Sequence, residues 1–362
     1  MLHYDLAIAG AGPAGSTLAL LAARAGCRVL LAERSRFETP RIGETAPPGL
    51  RPLLSKVGID HVLTDATHTA APAVVSVWGA DQPVERHHIL SPYGNALHLD
   101  RRAFDEAMAL AAREAGADLR LGTSIRFRPK QPTGYRLTLS DGSSMQADIA
   151  VRANGRAGSG LGLAGARDYL DDNIAAVARF MVPHTREPRT VIEAIAGGWF
   201  YLAAIPGNEL VAVFMTGADM VPSDRTQRLR WWLQALARTR LVRAALSGEP
   251  IPQSLAIYDA RSSYLRTSAG PNWFALGDAR LAPDPLSGQG IIWAVEDAIF
   301  AAELLKDGAD LARVIAQHTQ TEVADYLAVR DRVYGMERRF PDDPYWLARL
   351  RRSPGEPWQR AS

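Results

Sequence analysis

Apolar residues run nearly unbroken through YDLAIAG, Tyr4–Gly10, stop at a glycine cluster, and resume in STLALLAARAG, Ser16–Gly26. The first run is short, bounded by glycine and free of polar alternation, as in a strand buried on both faces. The second is rich in Ala and Leu and ends at Gly26, which predicts a helix. CRVLLAER, Cys27–Arg34, predicts a second strand ending at Glu33. Residues 4–34 therefore form one β-α-β unit. Late in the chain, Asn272–Ala298 repeats the theme: strand Trp273–Leu276, turn Gly277-Asp278, a loop, then a helix opened by Ser287-Gly288-Gln289-Gly290. Between these ends lie β-type runs: VVSVW, AAVARFMV, WFYLAAIP and LVAVFMTG. Pro206-Gly207-Asn208 separates the last two as a hairpin turn. Ser223–Ser247 predicts an amphipathic helix whose arginines face solvent. Residues 309–352 predict more helix, broken by Pro341 and Pro344.

The turn between the first strand and helix carries chemistry. GAGPAG places Gly10, Gly12 and Gly15 in G-x-G-x-x-G spacing, with Pro13 and Ala14 between them. Glycines there allow a tight turn and let a pyrophosphate approach the helix N-terminus. Glu33 follows at about 20 residues, where an acid takes a ribose hydroxyl. Strand, helix and acid together specify a dinucleotide site. Asp278, directly after a strand, is placed to bind the ribityl chain of a flavin. The glycine-rich helix start with Pro285, Gly288, Gln289 and Gly290 suits the negative charge of a reduced flavin ring. These features select FAD.

The length of 362 residues suits two domains sharing an interface. A net charge of +2 gives no sign of a nucleic-acid surface. Cys27 is the only cysteine, so no internal disulfide forms, which suits a reducing compartment. The first strand starts within a few residues of Met1 and no apolar run is long enough to span a bilayer. The expectation is a cytoplasmic protein with no membrane and no nucleic-acid partner. His87 and His88 are adjacent on a strand and point to opposite faces, so no metal site is expected.

The GAGPAG turn, the late GDARLAPDPLSGQG and their separation resemble the FAD-dependent monooxygenases of the p-hydroxybenzoate-hydroxylase-type fold. The fold class expected is α/β, a Rossmann-like FAD-binding domain with an inserted mixed β-sheet substrate domain and C-terminal helices. The FAD domain is expected over residues 1–65, 101–166 and 266–308, the substrate domain over 66–100 and 167–265, and the helical region over 309–362. The family's middle A-D-G-R motif reads RANGR here, with Asn154 in place of the acid. LHLDRRAFDEAM resembles its R-x-x-F-D segment, which implies Arg101 near the FAD phosphates, with Arg34 also on the cofactor.

RIGETAPPGL, Arg41–Leu50, resembles the R-x-G-E-x-x-x-P loop of the branch that includes flavin-dependent tryptophan halogenases. It implies a loop against the flavin, with Gly43 permitting a turn. Arg41 and Glu44 bind each other, the cofactor, or both. Halogenation needs a lysine on the strand after this loop. The corresponding PAVVSVWGA, Pro72–Ala80, offers Ser76 and Trp78 and no lysine, and Lys56 lies too early. The halogenase W-x-W-x-I-P segment reads GWFYLAAIP, with Trp199 kept and Tyr201 in the second place. Halogenation is therefore set aside.

GETAPP, SVWG, HLDRRAFD and DPLSGQG occur together in the LodB/GoxB-like and QhpG-like flavoproteins, which modify a tryptophan of a partner polypeptide toward a tryptophylquinone. The resemblance implies an FAD-dependent monooxygenase that hydroxylates an electron-rich ring through a flavin C4a-hydroperoxide, using O2. Its partners are a precursor protein carrying the target tryptophan and an electron source, NADH or NADPH or a separate flavin reductase. No second G-x-G-x-x-G is present, so nicotinamide binds transiently or not at all. Cys and His are absent from the segments aligned with the flavin ring, so FAD is held non-covalently. Trp78, Trp199 and Tyr201 are expected in the pocket wall, and Glu44 and His98 as acid/base groups. Hydroxylation of a small aromatic metabolite and reduction of an alkene remain the alternatives.

Overall fold

The structure is a computed structural model, and it describes residues 2–39, 41–63, 68–156, 161–163, 165–170, 173–182, 187–207, 209–248 and 254–350. The expected hairpin residue Asn208 and the end of the 309–362 region lie outside these residues. The chain divides into two compact units. One falls within Met1–Ala71, His88–Leu170 and Ser262–Thr321, the other within Pro72–His87, Asp171–Arg261 and from Glu322 on.

The first unit is built on a sheet whose strands run in the order Ala269–Gly270, Trp273–Ala275, Ser144–Arg152, His3–Ala9, Val29–Glu33 and Asp118–Leu121. From Trp273–Ala275 to Asp118–Leu121 every neighbouring pair is parallel. The β-α-β reading of residues 4–34 is realised as strand His3–Ala9, helix Pro13–Arg24 and strand Val29–Glu33. The two faces bury different clusters. Leu6, Ile8, Leu31 and Val151 pack with helices Pro13–Arg24, Arg101–Glu114 and Gly290–Asp307. Ala7, Leu30 and Ala150 pack with Phe127, Tyr135 and Leu137 of an antiparallel ladder. Central strands buried on both faces need no polar alternation, which is why YDLAIAG reads as it does.

The second unit holds a seven-stranded sheet, in the order Ala256–Asp259, Ile174–Met181, Glu209–Gly217, Gly198–Ile205, Thr190–Ile195, Ala73–Val77 and Val84–His87. Its pairs are antiparallel except Thr190–Ile195 with Ala73–Val77. One face packs Phe200, Leu202, Phe214 and Val177 beneath Trp232 of helix Arg225–Ala237. Glu193 holds the next helix by accepting from the backbone N–H groups of Arg240, Leu241 and Val242.

The partition differs from the expected boundaries, most of all at residues 88–100 and in the C-terminal helices, with smaller shifts at 68–71, 167–170 and 262–265. Residues 88–100, expected with the inserted sheet, pack in the first unit. Strand Ala96–Leu99 there pairs with Thr45–Ala46 and His68–Ala71, and the ladder fixes its place. The C-terminal helices are not a separate region. Leu311–Gly335 carries the chain into the second unit, and Pro344–Leu350 packs there.

Candidate cofactor site

The glycine turn leaves no room for side chains where two backbones meet. Gly10 has φ +109, and a Cβ on it would lie 2.3 Å from the carbonyl oxygen of Ala153. A Cβ on Gly15 would lie 1.9 Å from the oxygen of Gly10. Gly12 is the opposite case, because a Cβ there would meet nothing within 4 Å. Two of the glycines close the turn and the third borders open space. Pro13 opens the helix, and no side chain caps its first turn, so the N–H groups of Ala14 and Gly15 stay available to an anion.

Glu33 ties this turn to the next segment. Its carboxylate accepts from the N–H of Ala11 at 2.9 Å and from the hydroxyl of Ser35 at 2.7 Å. Arg41 approaches the same carboxylate at 3.4 Å and donates to Ser35 Oγ at 2.9 Å. Its other terminal nitrogen donates to Asp105 at 2.7 Å. The guanidinium thus serves Asp105, Ser35 and Glu33, not the neighbouring Glu44 that the sequence offered as one partner. Arg34 is exposed.

Arg101 is held by the protein on two sides. It donates to both oxygens of the fully buried Asp105 at 3.1 Å, and to the carbonyls of Ile42 and Gly43 at 3.1 and 3.2 Å. Its role in this structure is to clamp the 41–44 loop. Gly43 has φ +93 and would place a Cβ 3.2 Å from that guanidinium, so glycine suits both the backbone and the close approach. Asp105 sits between two arginines from different segments. It belongs to the quoted HLDRRAFD segment and stands four residues after Arg101, a spacing that joins side chains on one helix face.

Glu44 and His98 are both buried and come together as neighbours in one ladder. Glu44 accepts from the N–H of Gly43 at 3.1 Å, and its carbonyl accepts from Leu99 at 2.8 Å. His98 is paired across the ladder with Thr45.

The late motif forms a second corner. Gly277, with φ +54, donates its N–H to Asp297 at 2.7 Å. Asp297 also forms a buried ion pair with Arg280 at 2.9 Å, and Arg280 reaches Thr319 at 3.2 Å. This network pins the 277–279 turn to helix Gly290–Asp307, and nothing in the sequence pattern marked it. Asp278 pairs with Arg156 at 3.2 Å and stays about one-third exposed. Asp284 caps the short turn beginning at Pro285 by accepting from Leu286 at 2.8 Å, and Gly288 closes it with φ +60. The following helix starts at Gly290 after Gln289, again with no side-chain cap. Asn154, beside the glycine turn, has a buried Oδ1 with no donor among the described residues.

These features fit FAD. Two helix N-termini are open to negative charge, a glycine borders free space, and a buried acceptor waits for a donor.

The aromatic candidates lie in the second unit. Trp199 is 1% exposed, and its indole donates to the Tyr334 hydroxyl at 3.3 Å. Trp78 donates to the carbonyl of Val333 at 2.9 Å and meets Trp199, Tyr334 and Trp346 edge-on. Trp346 in turn donates to Ile195 at 2.9 Å. Both indoles are the seat of the C-terminal helices, because large rings with one donor are best buried where that donor finds a partner. Tyr201 stands two residues along the same strand, half-buried.

A parallel sheet with an open glycine turn, an acid after the second strand and a Gly-Asp corner before a second uncapped helix defines a flavin-binding protein. The model of the FAD binding domain family matches residues 3–318, and the chain belongs to that family as an FAD-dependent oxidoreductase. It is 28% identical to the FAD-dependent oxidoreductase LodB of Marinomonas mediterranea, covering 96% of this chain and 97% of that protein. Among solved structures it resembles the chondrochloren halogenase CndH (TM-score 0.82, 20% identity, 96% of this chain and 86% of that one). It also resembles the peptidyl tryptophan dihydroxylase QhpG (TM-score 0.78, 23% identity, 96% of this chain and 78% of that one). No described helix is long and apolar enough to cross a membrane.

Proposed function

We propose that this oxidoreductase is a monooxygenase that hydroxylates a tryptophan side chain of a partner polypeptide, a step toward a tryptophylquinone cofactor. The observation that carries the reading is the full-length likeness to LodB, joined to the shared fold of QhpG, described as essential for tryptophylquinone cofactor biogenesis. GETAPP, SVWG, HLDRRAFD and DPLSGQG stand in the order that this group shows. The likeness to a halogenase fold does not favour halogenation. Lys56 and Lys306 are exposed, Lys130 is bonded to Gln146 at 2.6 Å, and strand Ala73–Val77 carries no lysine.

FAD would bring the redox chemistry, drawing electrons from NADH, NADPH or a separate reductase and passing them to O2. The N–H groups of Ala14 and Gly15 would hold its diphosphate, and Glu33 an adenosine ribose hydroxyl. Asp278 would take the ribityl chain, and the open N-terminus after Gly288-Gln289-Gly290 would favour negative charge on the ring. Arg101 and Arg41, both on Asp105, keep the 41–44 loop in one conformation, which holds Glu44 and His98 at fixed positions. A ring carbon that gains oxygen must lose its proton, and the Glu44 carboxylate or the His98 imidazole would accept it.

Co-expression with the polypeptide encoded beside this gene tests the reading by intact-mass spectrometry. A gain of one or two oxygens, mapped to a tryptophan and absent without the enzyme, is expected. An unchanged mass with O2 consumed would transfer the activity to a small aromatic metabolite. An unchanged mass with no O2 consumption, measured at an oxygen electrode, would favour an alkene reductase.

A further inference from the structure

Strand Ser144–Arg152 ends on a residue that no motif explains. Along this strand Val151 packs with the first helix, while Ala147 and Ala150 pack on the other face with Phe127, Tyr135 and Trp273. Alternation places Arg152 on that second face, away from the glycine turn's helix. Arg152 is 4% exposed. Its Nε is buried with no hydrogen-bond partner, and no ion pair reaches its guanidinium among the described residues. The charge that acts on it is that of Arg167, which has the same sign. Arg167 is fixed beside it, donating to Ser263 Oγ at 2.7 Å and to the carbonyls of Asp278 and Ala279 at 3.1 and 2.8 Å.

Burial and the neighbouring arginine push the Arg152 pKa down to about 10, so it stays charged at neutral pH. A buried charge without a counter-charge is strongly unfavourable unless a ligand supplies one.

We propose that Arg152 and Arg167 form a buried oxyanion site on the sheet face opposite the dinucleotide turn, taking a carboxylate or phosphate group. A guanidinium presents a planar fork that matches two oxygens of such a group. Arg167 bonds the backbone of the Asp278 turn, so occupancy is transmitted to the flavin corner. The oxyanion is a free inorganic ion or part of a larger ligand.

The test uses FAD-loaded protein in Tris chloride at fixed ionic strength, titrated with inorganic phosphate, formate and acetate. At least one raises Tm saturably, by about 2–4 °C at high occupancy. Phosphate alone points to an inorganic or phosphoryl ligand, and formate or acetate alone to a carboxylate. Arg152→Met raises Tm in the oxyanion-free buffer, because the uncompensated charge is gone, and abolishes the oxyanion response. Arg152→Lys keeps the charge without the fork and retains less than half of the response, which covers a failure of the methionine variant to fold. A wild-type Tm that ignores all three anions overturns the proposal, as does a response that survives in Arg152→Met. A response confined to FAD-free protein overturns it too, since the cofactor itself would then be the anion.

Discussion

The 41–44 loop of the first unit and the indole cluster of the second are both held by long-range contacts, but by opposite physics. The loop hangs on charge: Asp105 accepts from Arg41 and Arg101, and Arg101 also grips two loop carbonyls. The cluster hangs on apolar area: Trp78 meets Trp199, Tyr334 and Trp346 edge-on, and each indole spends its single N–H on a fixed acceptor. Charged clamps position a loop with few atoms and leave it sensitive to the loss of one carboxylate. Ring clusters are insensitive to charge and fail when volume is removed.

The sharpest way to separate the two is by truncation. Trp199→Ala is expected to destabilise the protein by about 3–5 kcal/mol, read by denaturant titration, while FAD stays bound in the folded fraction. Loss of FAD at unchanged stability would return Trp199 to the cofactor or substrate site. Asp105→Ala leaves two arginines facing each other and is expected to lose about 3 kcal/mol. Unlike the tryptophan change, it should release FAD on gel filtration, seen as a lower ratio of flavin to protein absorbance. Flavin retention at the wild-type level would show that the clamp does not serve the cofactor.

Gly43→Ala probes the loop more gently. Its φ of +93 disfavours any side chain, and a loss of about 1 kcal/mol is expected, with weaker FAD affinity by fluorescence titration. Full wild-type affinity would mean that the loop relaxes without consequence.

The smallest effect is a pH response that belongs to Glu337, which holds the backbone beside Trp78. Glu337 is buried, which raises its pKa, but Arg339 and the N–H groups of Gly79 and Arg339 outweigh burial and hold it below the ordinary 4.5. A lowered carboxylate pKa contributes stability above the ordinary value and loses it as pH falls through the folded value. Glu337→Gln should therefore be less stable than wild type at neutral pH, and the gap should close on acidification below 4.5. A gap independent of pH would assign the contribution to packing.

Much of the cofactor corner is legible because its chemistry is local in sequence. Gly15 lies within a few residues of the Gly10 backbone it must avoid, and Glu33 follows one strand later, whereas the approach of Gly10 to Ala153 comes only from strand pairing. Asp278 and the Gly288–Gly290 helix start are similarly compact. The Arg101–Asp105 pairing follows from a four-residue spacing on one helix. The seat of the C-terminal helices was not readable, since residues 78, 199, 334 and 346 share no spacing. A tryptophan in a strand looks the same whether it lines a pocket or supports a helix.

By itself, then, the sequence determined the β-α-β start, the α/β class and membership of an FAD-binding family, because strand burial, glycine geometry and helix N-termini act over a few residues. Tertiary structure alone decided that Arg41 turns to Asp105, that strand Ala96–Leu99 pairs with Thr45–Ala46, that the indoles seat distant helices and that Arg152 is buried with no counter-charge among the described residues. Each of those outcomes depends on which segments meet in space, and burial and ion pairing exist only once they have met.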